Sequence, residues 1–318
     1  MSPKQSQQGA ALLLAMVTVT LVATVAATAI QRQWSRIEVE QAQRSQVQAQ
    51  WLLRAAMDWS RLLLRQDAQS SGSEDHLAEP WAIPLQETQL SAFIQAQAGV
   101  TDADASSDAG QAYLSGWMQD QQAKLNLVHA LASTESGAEN QSVARLFEQL
   151  GLPRSEYVLL QEGMRQAMST DSAHVHRPLM PQRVQDLAWL GLSAATIEQL
   201  APYVTLQVAV TKINLNTASA QVIAAAHPHM NASQAQALVQ ARNQQHFKKL
   251  ADAQKVLDDL QLSEQTYTVK SDHFMASGQV RMDGFVLAMQ AELERMNTHV
   301  YARSVRTMGM AFPPSVAQ

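Results

Sequence analysis

Residues 9–30 read GAALLLAMVTVTLVATVAATAI, a run without one charged side chain. Only Thr18, Thr20, Thr24 and Thr28 break the series of apolar residues, and a threonine hydroxyl can return to a carbonyl one turn back, which makes it tolerable in lipid. From Ala10 onward the run corresponds to roughly 32 Å of α-helix, the thickness of a bilayer's hydrocarbon core. The stretch reads as a membrane span, and the rest of the chain is organised around it.

What precedes the span gives it a more specific meaning. The leader MSPKQSQQG, residues 1–9, is polar, carries one lysine and ends in glycine directly before the apolar run. A secretory signal peptide is cut after a shorter apolar region, whereas here the change of character lies in front of it. A plain single-pass anchor would account for the apolar run alone. The leader and its glycine resemble the type III leader of type IV pilins and type II secretion pseudopilins, which prepilin peptidase cuts after the glycine. That resemblance implies that Gly9 ends the leader and that Ala10 becomes the mature N-terminus. Most members of these families carry a glutamate at the fifth mature position, where it neutralises a neighbouring subunit's amine. Here that position is Leu14, and the first acid after the leader is Glu38. An unpaired charge in a bilayer or filament core costs several kcal/mol, so a subunit with none above it can dispense with the acid. Absence of the glutamate is characteristic of the minor pseudopilin known as protein K.

Length and charge set the outer limits. The 318 residues leave enough chain after the span for two modest domains with sizeable cores. A formal net charge of -5 argues against a dedicated nucleic-acid binder. No cysteine is present, which excludes disulfides, thiolate metal sites and a cysteine nucleophile. Lys4 stands on one side of the span and Arg32 and Arg36 on the other, so the positive-inside rule does not favour an N-in topology. The leader decides the orientation instead.

Between Gln31 and Leu64 there is neither glycine nor proline, and Gln, Ala, Arg and Leu dominate. Val47, Trp51, Ala55, Trp59 and Leu63 recur every four residues and predict one apolar stripe on a helix about 80 Å long, counted from Ala10. A fourfold spacing drifts off a heptad seam, which disfavours a coiled coil. SSGSEDHLAEP from Ser70 ends the helix. TDADASSDAG, 101–110, carries Asp102, Asp104 and Asp108 but lacks the distal glutamate of an EF-hand, so it reads as an acidic loop. In AYLSGWMQDQQAKLNLVHAL, Tyr113, Trp117, Leu125 and Leu127 read as strand positions. Asp120, Gln122, Lys124, Leu125, Asn126 and Leu127 stand where protein K resembles this segment, just before its inserted helical domain.

The middle of the chain is helical. Val143, Leu146, Phe147 and Leu150 form one face before Gly151 and Pro153, and Leu187, Leu190, Leu192, Ile197 and Leu200 repeat the style before Pro202 and an extended Tyr203 to Thr205. Then comes KINLNTASAQVIAAAHPHMNASQAQALVQARNQQHF from Lys212, where Thr217 or Ser219 can cap a helix through Ala226 and a second helix follows from about Ser233 to Gln244. It resembles both the helix-hairpin-helix of DNA-binding competence proteins and the second helical subdomain of protein K. A DNA-binding hairpin needs glycine amides for phosphate. Here HPHMNAS connects the helices, with Pro228 and no glycine, and only Arg242, Lys248 and Lys249 supply nearby positive charge. Packing is therefore favoured over DNA binding, and a membrane-anchored DNA-uptake receptor is the alternative.

His174 with His176, and His227 with His229, could each present two imidazoles but lack a third ligand. No nucleophile elbow, Walker loop, dinucleotide fingerprint or zinc-protease motif occurs, which disfavours an anchored hydrolase. Protein K relatives hold calcium in an acidic loop of the helical domain. Asp171 is the sole acid in the comparable RQAMSTDSAHVHRPL, so calcium is not expected and no cofactor or metal site is assigned.

The C-terminal part alternates. Phe285, Leu287, Met289, Ala291 and Leu293 share one face against Val286, Ala288, Gln290 and Glu292, with a turn at Met282, Asp283 and Gly284. YTVKSDHF, QVRMDGFVLAMQAEL and NTHVYARSVRTM predict three or four antiparallel strands that cover the stalk helix, and FPPSVAQ is a tail. The fold class expected is α+β: a pilin-like long N-terminal helix on a small antiparallel sheet, with a large inserted all-helical domain of SAM-like or helix-hairpin-helix-like type. Residues 1–9 are the leader, 10–30 the membrane part and 31–126 the stalk and first strands. The inserted domain is 127–265, with subdomains at 127–205 and 212–262, and 266–318 hold the terminal strands and tail. The resemblance to protein K implies a non-enzymatic minor pseudopilin at the tip of the type II secretion pseudopilus, initiating its assembly. Its implied partners are minor pseudopilins I and J, prepilin peptidase and the inner-membrane assembly platform, with no nucleic acid. The implied location is the bacterial inner membrane, single-pass, with the C-terminal part in the periplasm.

Overall fold

The computed structural model describes residues 7–70, 74–98, 112–132, 140–169, 178–257, 259–282 and 285–308. Helix α1, Gln7–Ser70, is 64 residues long, about 96 Å at the usual rise. Its two halves meet different surroundings. Side chains 11–44 are all exposed, and each threonine of the apolar run bonds a carbonyl three or four residues back, as Thr24 does to Leu21 at 2.8 Å. The second half lies on a sheet. Ala49, Leu53, Met57 and Leu64 are its buried face.

That face corrects the stripe expected from the sequence. Val47, Trp51 and Ala55 are exposed, and Trp59 and Leu63 are half-buried. Four residues turn an α-helix by about 40° more than a full circle, so a strict fourfold row winds about 160° around the axis between Val47 and Leu63. The packed row begins two residues later, on another side of the helix, and steps by seven from Met57 to Leu64, which holds it against the sheet. Only the far end of the expected row reaches the sheet's flank.

The sheet is built from β1 (Leu85–Gln89), β2 (Tyr113–Asp120), β7 (His273–Met282), β8 (Phe285–Met296) and β9 (His299–Met308), in the order β1-β2-β7-β8-β9, antiparallel throughout, and helix α2 (Leu90–Ala98) follows β1. The expected alternation holds: Met289, Ala291 and Leu293 are buried beneath α1 with Phe274, Ala276 and Val280. Gly116 of β2 stands opposite Gly278 of β7. A Cβ at Gly278 would lie 2.9 Å from Met57 Cε, so the helix rests where the strand carries no side chain. β8 and β9 join through Asn297, whose φ of 57° suits a two-residue hairpin turn. The pairing of Met282 with Phe285 brackets Asp283 and Gly284, which lie outside the described residues, as do 309–318.

Between β2 and β7 the chain builds a helical domain. It leaves the sheet at Asp120 and returns beside it, since Asp120 pairs with Phe274. Of the expected strand positions Tyr113, Trp117 and Leu125 are in strands and Leu127 is not, and β2 stops at Asp120. The carboxylate of Asp120 accepts the Gln122 N–H at 2.7 Å and turns the chain into a 3-10 turn. Leu125–Asn126 then forms β3, which pairs in parallel with β4 (Val204–Thr205), and Leu127 opens helix α3 (Leu127–Ala132). Helices α4 (Asn140–Gln149), α5 (Arg154–Met168) and α6 (Ala194–Leu200) complete the first unit, with Val143, Leu146, Phe147, Leu187 and Leu200 in its core. The second unit repeats the plan. Strand β5 (Ile213–Asn214) pairs in parallel with β6 (Tyr267–Thr268) around α7 (Ala220–Ala226), α8 (Ala232–Gln244) and α9 (Leu250–Gln254). Tyr267 thus belongs to the helical domain and not to the antiparallel strands expected at the C-terminal end. Ser219, rather than Thr217, caps α7.

Leu53→Ala empties a fully buried site and should cost about 3 kcal/mol, whereas Trp51→Ala should stay within about 0.5 kcal/mol. Denaturant midpoints followed by circular dichroism on the detergent-solubilised chain separate the two. Equal losses would put the packed face elsewhere.

Candidate functional site

Two apolar cores, one under α1 and one in the helical domain, are separated by buried polar residues. Arg295 is at the centre. It follows Met289, Ala291 and Leu293 on the inward side of β8 and is 4% exposed. Its Nη2 donates to both carboxylate oxygens of Asp75 and to the Ser271 carbonyl, each at 2.5 Å, and its Nη1 donates to Asp67 of α1 at 3.0 Å. Asp75 also accepts the Ser271 N–H at 2.7 Å, and its own N–H donates to the Val269 carbonyl. Burial pushes the Asp75 carboxyl up, and Arg295 pulls it back.

Beside this pair is a second knot. Asp120 Oδ2 accepts from Thr217 Oγ1 at 2.5 Å, Ser271 Oγ at 2.6 Å and Asn214 Nδ2 at 3.2 Å. Burial raises Asp120 to about 6 against these donors. Asn214 also reaches the Asp75 carbonyl, at 3.1 Å. The end of β2, the start of the second helical unit and the approach to β7 are thereby tied to one carboxylate.

Two further asparagines act as staples. Asn126 donates to the carbonyls of Gln207 and Ala209, both at 2.9 Å, and Asn216 exchanges two 2.9 Å bonds with the backbone of Phe247. Asn126 and Asn214 occupy equivalent places in Lys-Leu-Asn-Leu (124–127) and Lys-Ile-Asn-Leu (212–215). Each opens one helical unit, an internal repeat that the sequence displays.

The residues singled out in the sequence fall as follows. Gly9 and Ala10 lie within α1, and Leu14 is 69% exposed on its apolar half. Arg242 does not face outward. It donates to the carbonyls of Leu215 and Ala218 at 2.6 and 2.5 Å, so its charge serves the fold and leaves Lys248 and Lys249 exposed without it. His227 accepts the His229 N–H on Nδ1 and points Nε2 at the Gln261 carbonyl, 3.3 Å away, so the two imidazoles do not converge on a shared ligand. Asp102, Asp104, Asp108, Asp171, His174 and His176 lie outside the described residues. Asp67, Asp75 and Glu79 bring carboxylate oxygens within 4.8 Å of one another. A hard cation could bridge such a group, but the guanidinium of Arg295 already takes that role for both aspartates.

Residues 213–270, the second helical unit, match the family model of type II secretion system protein K. The chain is 25% identical over 329 residues to the type II secretion system protein K of Pseudomonas aeruginosa, covering 98% of this chain and 96% of that one. The chain is thus similar to type II secretion system protein K along nearly its whole length. Its fold is similar to a chain in the crystal structure of the GspK-GspI-GspJ complex from enterotoxigenic Escherichia coli, with a TM-score of 0.63 at 18% identity over 85% of this chain and 99% of that one. The protein K likeness covers the α+β plan as a whole: long helix, antiparallel sheet and inserted helices. Among the described residues, one helix is long and apolar enough to cross a membrane.

Asp120→Ala removes the acceptor of four buried donors and should cost about 3 kcal/mol. Combined with Thr217→Val, the losses should fall short of additive by about 1 kcal/mol. A double-mutant cycle in denaturant measures this, and strict additivity would mean that Asp120 does not hold Thr217.

Proposed function

We propose that this chain is a minor pseudopilin at the tip of the type II secretion pseudopilus, where it starts assembly and helps to export folded proteins through the outer membrane. Prepilin peptidase cuts between Gly9 and Ala10. The protein then resides in the inner membrane with its sheet and helical domain in the periplasm, leaves the bilayer through the assembly platform and joins minor pseudopilins I and J. It works by packing, without catalysis or cofactor.

One observation carries the reading. The whole apolar run from Ala11 to Ile30 is exposed on a helix whose other half is fixed to the sheet. Such a surface needs lipid or neighbouring helices around it. Leu14 offers no acid to a subunit above, and the helical domain adds bulk at the opposite end. Likeness to a chain from a GspK-GspI-GspJ complex supports the choice of partners.

Mass spectrometry of the mature N-terminus should find Ala10 first when prepilin peptidase is present and an intact Gly9–Ala10 bond when it is absent. Pull-down should recover pseudopilins I and J. An uncut bond in cells with active peptidase would overturn the reading. Leu14→Glu places an unpaired acid in the apolar surface at a cost of several kcal/mol, and secretion should fall while peptidase cleavage persists.

A further inference from the structure

Beside Arg295, the loop that follows α1 places Glu79 in the protein at 4% exposure. Its Oε2 accepts the His76 N–H at 3.0 Å and the Trp81 indole N–H at 2.7 Å. Its Oε1 is buried and has no hydrogen-bond partner among the described residues. Trp81, held by this bond, is 2% exposed, packs edge-on against Phe274 at 5.0 Å and forms one wall of a groove of about 550 Å³ with Trp59, Leu63, Phe93 and Met118.

The charges around Glu79 do not balance. Asp67 reaches it from α1 and Asp75 from its own loop, both within 4.8 Å, while Arg295 from β8 is the cation for both aspartates. Glu74 sits 3.7 Å from His246, which arrives from the link after α8. His76 stacks on His246 at 3.8 Å, and its Nε2 is 3.9 Å from Glu79 Oε1, too far to bond. Burial and His246 also hold the His76 imidazole below its ordinary range, favouring the neutral ring. Three carboxylates thus face one guanidinium, and a bare carboxylate oxygen with no donor is costly in such a place.

We propose that Glu79 carries a proton in the folded protein and that this proton makes the joint between the two cores pH-sensitive: losing it leaves a third negative charge beside Asp67 and Asp75 with one guanidinium between them. Burial raises Glu79 from 4.5 to about 7 against the bonds from the His76 N–H and the Trp81 indole, and Asp67 and Asp75 push it up as well. A carboxyl whose folded pKa is raised contributes stability that is complete below the unfolded value and is lost as pH rises through the folded one. The stabilisation is therefore complete in acid and is lost between about pH 4.5 and about pH 7.

Thermal unfolding of the full chain in detergent tests this at about pH 5.5 and about pH 8.5. Wild type should melt several degrees lower at the higher pH. Glu79→Gln keeps a neutral side chain at both, so its drop should be smaller and its melting point should exceed that of wild type at the higher pH. An equal drop in the two proteins would overturn the proposal. Wild type labelled with 13C-glutamate supplies a readout that needs no variant. Its infrared spectrum should show a protonated-carboxyl stretch at about pH 5.5 that disappears by about pH 8.5; no such band at the lower pH would equally overturn it.

Discussion

The bond between Asp75 and Arg295 fixes how the two cores meet. A guanidinium taken out of water costs several kcal/mol, and the cost is offset only if its donors all but close on acceptors. Arg295 places both terminal nitrogens on partners from three places, Asp67 on the long helix, Asp75 on the loop after it and the Ser271 carbonyl on the approach to β7, while its Nε is buried without a partner among the described residues. Displacing any one of these elements would leave a buried charge exposed to an apolar wall. The pair adds little stability as such. It penalises every arrangement but one.

Around that pair, polar and apolar residues divide the work. Leucine, methionine and alanine of α1 supply the attraction to the sheet, which is indifferent to small slides along the helix. Direction comes from Asp120, Asn126, Asn214 and Asn216, each of which bonds backbone or side-chain groups far away in sequence. Arg61 of α1 adds one more tie, donating to the Val300 carbonyl on β9. The helical units therefore sit on the sheet through hydrogen bonds, while each remains apolar inside.

Much of this was legible in the residues. The apolar run, the break at Ser70, the alternating strands after His273 and the core faces of α4 and α6 follow from side-chain period alone. The stalk stripe differs in phase: the packed row Ala49, Leu53 and Met57 has the same fourfold spacing but starts two residues later, about 200° round the helix, and alanine and methionine are less conspicuous than tryptophan. The polar joint was missed, although a signal existed. Arg295 shares the parity of Leu293, and Asp120 that of Leu114, so alternation alone directs both inward. A charge on an inward position requires a partner, but which carboxylate answers it depends on contacts across more than 200 positions of chain, which no local period encodes. The repeat of Lys-Leu-Asn-Leu as Lys-Ile-Asn-Leu was likewise visible and told of two units built alike.

Because β2 and β7 are hydrogen-bonded neighbours where the helical domain begins and ends, that domain occupies the place of a hairpin loop. A short turn joining the two strand ends would close the sheet without moving any strand. The protein can therefore be seen as a compact body of one long helix and five strands onto which a doubled helical module has been grafted at a single seam, a topology in which the module can change size or surface while the body keeps its register.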